Sequence, residues 1–154
     1  MNIVDKSFIY LKENCDTRQA LIRKIGEDLK KANRIKNIEA FLKDILTREE
    51  DISTYMGDGI AIPHCKADNV LNSTVVLLRN EKKVIWNSDD EPTDLVFLLS
   101  IKNTNQNEDQ SHLKVLSRLA QNLMNENFMD IIRHESDIDS IYQALKKIEG
   151  GEAS

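Results

Sequence analysis

The chain lacks most of what would cross-link a small protein or build a metal centre. It has two cysteines, Cys15 and Cys65, in unrelated surroundings. Zinc takes three or four ligands from Cys, His, Asp or Glu. Cys15 has no candidate partner ligand near it, and the adjacent His64 and Cys65 cannot both face one ion without distorting the backbone. No two histidines stand four residues apart, as a helical zinc motif requires. The expectation is no metal site and no cofactor. Neither is needed for stability, because a domain of 154 residues buries about 70% of its unfolded surface.

Long apolar runs are missing as well. Nothing approaches the roughly 20 residues of a membrane span, and the short runs at 75–78 and 95–99 read as buried strands. Residues 1–6 lack the apolar segment of a signal sequence. With so few cysteines, the expected setting is the reducing cytoplasm, with no direct membrane insertion. Positive charge is in deficit: 21 Lys and Arg against 26 Asp and Glu give a net charge of −5. A nucleic-acid binder would show a basic stripe, so no nucleic-acid partner is expected. There is no internal repeat, linker or low-complexity segment. The expected organisation is a single domain over 1–149, with a flexible tail at 150–154.

What is present is periodic. Asp16 or Thr17 caps a helix with Leu21, Ile25, Leu29 and Ala32 facing inward. Asn37 caps a second, with Phe41, Leu42, Ile45 and Leu46 inward, running to about residues 48–50. Strands are expected at 3–10, 60–62, 73–79, 84–86 and 95–100, with a turn at 80–83. A polar loop at 103–110 leads to a helix with Leu113, Leu116, Leu119, Ala120 and Leu123 inward. A short helix follows at 128–134, then a last one after Ser136, where Asp139 stands at capping-box spacing. Helices interspersed with short apolar strands imply an α/β fold in layers.

Histidine is also scarce, which focuses attention on His64, His112 and His134. Imidazole is the only side chain whose unperturbed pKa lies near neutrality. His64 follows Pro63 at the end of Ile60-Ala61-Ile62, entered through Gly57-Asp58-Gly59. Glycine permits positive φ and proline fixes φ. Such a backbone aims one side chain, which suits a nucleophile; a hydrogen-bonded structural histidine is the plain alternative. The glycine pair is no nucleotide loop. It lacks the lysine and hydroxyl of a P-loop and the strand-glycine-helix order of a dinucleotide fingerprint. Cys65 reads as a small buried thiol, Trp86 as a packing residue and His134 as a solvated one. Taken alone, Arg48 is a cation in the last turn of a helix, and His112 is a first-turn residue.

The run Gly57-Asp58-Gly59-Ile60-Ala61-Ile62-Pro63-His64, preceded by Arg48-Glu49 and Ser53-Thr54, resembles a known phosphorylation site. It is that of the fructose/mannitol class (type 2) enzyme IIA domains of the bacterial phosphoenolpyruvate-dependent sugar phosphotransferase system. Lys66, Val84-Ile85-Trp86, Asp90-Glu91-Pro92, His112-Leu113, Leu116, Leu119 and Leu123-Met124 extend the resemblance over nearly the whole chain. The fold expected is a three-layer α/β sandwich with a mixed, mostly parallel central sheet flanked by helices.

The resemblance implies that His64 takes a phosphoryl group on Nε2 from the histidine phosphocarrier protein. The group then passes to a cysteine of a cognate enzyme IIB, which serves a membrane permease IIC. Arg48 would hold the phosphoryl oxygens, His112 would stabilise the group in transit, and Thr54 would support the loop or donate its hydroxyl. His64, His112 and Arg48 would cluster in one shallow cleft, with a surface partly apolar and locally acidic. Cys65 stands where glycine is frequent in the fructose branch, so it is expected to crowd His64 and to be open to oxidation. The branch suggests fructose, although no sugar-binding residue is recognisable. The rival reading is a regulatory IIA-like protein that signals its phosphorylation state by binding a protein partner; Arg48 and His112 together favour transport.

Overall fold

The computed structural model describes residues 3–104 and 111–149, with the backbone alone for 111 and 112. The sheet is built on two long strands. β5 (Thr74–Ile85) and β6 (Pro92–Lys102) run antiparallel, with Val76 opposite Leu98 and Leu78 opposite Val96. β1 (Val4–Glu13) lies parallel to β5 on the outer side. Beyond β6, the short β3 (Ile60–Ala61) pairs parallel to it, and β2 (Tyr55–Gly57) closes that edge as a hairpin with β3. The order is β1-β5-β6-β3-β2. β4 (His64–Ala67) also pairs parallel to β6, further along the same side.

Side chains alternate across a strand, and here both faces are apolar. Val76, Leu78, Val96 and Leu98 face one core; Val75, Leu77, Leu95, Phe97 and Leu99 face the other. The first core is covered by α1 (Arg18–Lys31) and α2 (Ile38–Asp51). The second is covered by α3 (Ser111–Leu123), α4 (Glu126–His134) and α5 (Ile138–Glu149). The result is a three-layer α/β sandwich with a mixed sheet. No helix among the described residues is long and apolar enough to cross a membrane.

The helix starts follow their caps. Thr17 Oγ1 accepts from Ala20 N at 3.0 Å, and Asn37 Oδ1 accepts from Ala40 N at 2.8 Å. Several expectations are corrected. Ala32 lies past the last turn of α1 and is exposed. Residues 80–83 are not a turn, because β5 continues through them with an irregularity between Arg79 and Val84. Asn80 explains the irregularity: its side chain bonds Cys15 N at 2.7 Å, Cys15 O at 3.0 Å and Lys82 O at 2.8 Å, tying the bulge to the end of β1. On α3 the inward line runs through Val115 and Leu119, leaving Leu113 and Ala120 exposed. α5 begins directly after Asp137, not Ser136, and the Asp137 carboxylate accepts from Ser140 Oγ at 2.8 Å. Residues 105–110 of the expected loop and the expected tail at 150–154 lie outside the described residues.

Candidate active site

The line of backbone beside β6 is broken once, at Ile62-Pro63. Ala61 pairs with Val96 and His64 with Leu99, so the register is kept across the gap. Pro63 has no N–H to give a ladder. Its carbonyl still accepts from Leu99 N at 3.0 Å, while Ile62 N turns away to Thr54 O at 3.2 Å. The break frees the Ile62 carbonyl, and His64 uses it.

His64 Nδ1 lies 2.9 Å from Ile62 O. A carbonyl can only accept, so Nδ1 carries the proton. On the other side of the ring, Arg48 Nε donates to His64 Nε2 at 3.0 Å. A guanidinium has no acceptor, so Nε2 must present its lone pair. Both contacts select the same neutral tautomer. That lone pair borders a pocket of about 240 Å³ lined by Arg48, Asp51, Ile52, Thr54 and His64. Arg48 sits in the last turn of α2 and is exposed. Its terminal nitrogens belong to a planar fork suited to anionic oxygens.

The approach to His64 is fixed by the glycine turn. φ is +96° at Gly57, +53° at Asp58 and +80° at Gly59. A Cβ on Gly59 would lie 2.6 Å from Asp94 Oδ1, whereas one on Gly57 would meet nothing within 4 Å. Asp94 is held in turn by Arg133, whose Nη1 donates to Oδ1 at 2.9 Å while Nη2 donates to Asp58 O at 2.5 Å. Gly57→Ala is therefore expected to cost about 1 kcal/mol, from backbone strain alone. Gly59→Ala is expected to cost about 2–3 kcal/mol, from strain plus displacement of Asp94. Urea midpoints at unchanged slope test this order; equal midpoints for the two variants would refute it.

Thr54 lines the pocket, and its hydroxyl donates inward, to Glu49 Oε2 at 2.5 Å. His112 is the second residue of α3, and its side chain lies outside the described residues, so its expected meeting with His64 does too. His134 is exposed at the end of α4. It borders a separate groove of about 360 Å³ with Asp58, Ile60 and Arg133. Trp86 is buried and donates its indole N–H to Glu49 Oε1 at 2.9 Å. Glu49, quoted only as a neighbour of Arg48, and Arg133 are the residues to which sequence reasoning assigns no role. Each stands in a run of charged residues that reads as a solvated face.

Cys65 is the small buried thiol that its own context implies, and it departs from the crowding of His64 expected by comparison with the fructose branch. Strand alternation turns it away from His64 into the core under α1 and α2, where it is 6% exposed. Burial pushes its thiol up to about 12. It neither crowds the pocket nor forms the thiolate that oxidation requires. At pH 8 the folded protein should react with a thiol reagent at the half-buried Cys15 and not at Cys65, with Cys65 appearing only in denaturant. Labelling of Cys65 in the folded protein, mapped by peptide mass, would contradict this.

At this break in the strand the α/β sandwich sets one imidazole nitrogen beside a guanidinium. Residues 2–148 match the family model described as "Phosphoenolpyruvate-dependent sugar phosphotransferase system, EIIA 2", and the chain belongs to that family. It is 30% identical over 138 residues to the multiphosphoryl transfer protein of Shigella flexneri, covering 90% of this chain and 16% of that one. The chain thus spans about one sixth of the length of that relative. It is 27% identical to the PTS system fructose-specific EIIA component of Haloferax volcanii, over 95% of this chain and 94% of the other.

Among solved structures, the nitrogen regulatory protein IIA-Ntr of Neisseria meningitidis superposes with a TM-score of 0.81. That match has 24% identity and covers 93% and 96% of the two chains. The complex of enzyme IIA and phosphorylated enzyme IIB for mannitol from Escherichia coli matches with a TM-score of 0.73 at 25% identity, covering 90% and 94%.

Proposed function

We propose that this chain is a phosphoryl carrier of sugar uptake. His64 Nε2 accepts the group from the histidine phosphocarrier protein in the cytoplasm. It then yields the group to a cysteine of an enzyme IIB coupled to a membrane permease IIC, for a sugar of the fructose or mannitol kind. The observation that supports this most is the tautomer: Nδ1 tied to Ile62 O and Nε2 facing Arg48 in an open pocket.

In the first step Arg48 turns its donors from His64 Nε2 to the incoming phosphoryl oxygens, and the released Nε2 lone pair forms a bond to phosphorus. The donor's P–N bond breaks, and its electron pair stays on the donor nitrogen. The transition state spreads charge over the equatorial oxygens, where the fork of Arg48 and, on this reading, His112 act. In the second step the partner's cysteine, as the thiolate, forms the new S–P bond, and the P–N bond to His64 breaks. Because Nδ1 keeps its proton throughout and donates it to Ile62 O, the ring leaves as neutral imidazole with its Nε2 lone pair restored. Ile52, 76% exposed on the pocket wall, and the neighbouring Glu50 and Asp51 would give a partner an apolar and acidic landing surface. Such a surface suits fast, transient encounter.

The relatives support this direction, since one is a fructose-specific EIIA component and a solved mannitol IIA is bound to a phosphorylated IIB. The test is passage of label from phosphoenolpyruvate, through the general enzyme and the phosphocarrier, to this chain and on to a IIB domain. Label that reaches the chain but no IIB, with a stoichiometric complex to another protein, would favour the regulatory reading. No label from a competent donor pair would refute the carrier role.

A further inference from the structure

Glu49 is fully buried, and its surroundings are all donors. Oε1 accepts from Thr54 N at 2.9 Å and from Trp86 Nε1 at 2.9 Å, and Oε2 accepts from Thr54 Oγ1 at 2.5 Å. Its backbone carbonyl accepts from Asn87 Nδ2 at 2.9 Å. A buried carboxylate is costly unless it is fully hydrogen-bonded, so this one is held where it is by a dedicated shell. Two routes lead from it to the imidazole. Thr54 O accepts from Ile62 N at 3.2 Å, and Ile62 O accepts from His64 Nδ1 at 2.9 Å. Along α2 the preceding residue is Arg48, whose Nε meets His64 Nε2 at 3.0 Å. Both ring nitrogens are therefore located relative to one carboxylate.

We propose that Glu49 is the positioning residue of the site: it ties the end of α2 to the His64 strand, fixing both the His64 tautomer and its distance from Arg48. This rests on the carrier reading for its functional consequence, though not for its geometry. The expected signature has two parts. In unphosphorylated Glu49→Ala, imidazole ¹⁵N shifts should show His64 as a mixture of tautomers. The rate of phosphoryl transfer at saturating donor should fall about 10²-fold, the scale of a misplacement near 1 Å, while KM stays unchanged.

Glu49→Gln should restore a single tautomer and most of the rate. Its amide oxygen can serve Thr54 N and Trp86 Nε1, and its NH₂ can donate to the Thr54 hydroxyl, which also accepts. A folded Glu49→Ala protein with the Nδ1–H tautomer and an undiminished rate would overturn the proposal, and so would failure of a folded Glu49→Gln protein to restore them. If Glu49→Ala does not fold, Thr54→Val decides. It removes the hydroxyl contact alone and should shift the tautomer balance in the same direction; an unaltered balance overturns the proposal. The tautomer is measured without any donor. A wild-type protein that shows it yet takes no phosphoryl group would count against the carrier reading and leave the positioning role standing.

Discussion

His64→Gln should accept no phosphoryl group at all. Glutamine keeps a polar side chain of similar reach and can still hydrogen-bond with Arg48, so the pocket should remain intact. What it lacks is a ring nitrogen with a basic lone pair, and among the described residues that line the pocket none supplies one: Arg48, Asp51, Ile52 and Thr54 offer a cation, a carboxylate, an alkyl group and a hydroxyl. The loss should be complete, not partial, because covalent catalysis has no residual path once the nucleophile is gone. Circular dichroism and the emission of the single tryptophan, buried at Trp86, should be unchanged. Acid-labile label on the variant at the wild-type rate would place the acceptor elsewhere.

Arg48→Ala should reduce transfer by about 10²–10³-fold, the range seen when one donor to a developing oxyanion is removed. Two effects act together. The fork that would meet the phosphoryl oxygens is gone, and the Nε2 lone pair loses the donor that orients it at 3.0 Å. Arg48 is exposed, so stability should hardly change, and the loss should appear as rate without unfolding. Arg48→Lys tests the distinction between charge and shape. A lysine restores the charge but not the planar fork, so it should recover only part of the rate. Full recovery with lysine would show that charge alone suffices, and an unchanged rate in Arg48→Ala would remove the residue from the site.

The parts of this molecule legible in the sequence are those written in neighbouring residues. Thr17 and Asn37 cap the helices they precede, and the apolar runs that become β5 and β6 could be read directly. The positive φ angles at Gly57 and Gly59 follow from residue type, and the proline break marks His64. Features that depend on contacts across the chain were not legible. Glu49 reaches Trp86 across 37 positions, and Arg133 reaches Asp94 across 39. Nothing in a charged run distinguishes a buried carboxylate from a solvated one, because the difference lies in the donors brought from elsewhere. The bulge at Asn80 reads as a turn in the sequence for the same reason. A polar stretch signals interrupted pairing, yet here the Asn80 side chain takes up backbone groups at Cys15 and Lys82 and the strand goes on. On α3, helical spacing predicts the face through Leu116, Leu119 and Leu123, which pack on that core, but includes the exposed Leu113 and misses the buried Val115.

The central claim is that His64 carries a phosphoryl group on Nε2 while Nδ1 stays bound to Ile62 O. Correlated ³¹P and ¹⁵N spectra of protein phosphorylated by its donor chain test it most directly. The account predicts one phosphoryl signal coupled to Nε2 of His64, with Nδ1 still protonated. A phosphoryl group on Nδ1, or on any residue other than His64, would contradict it.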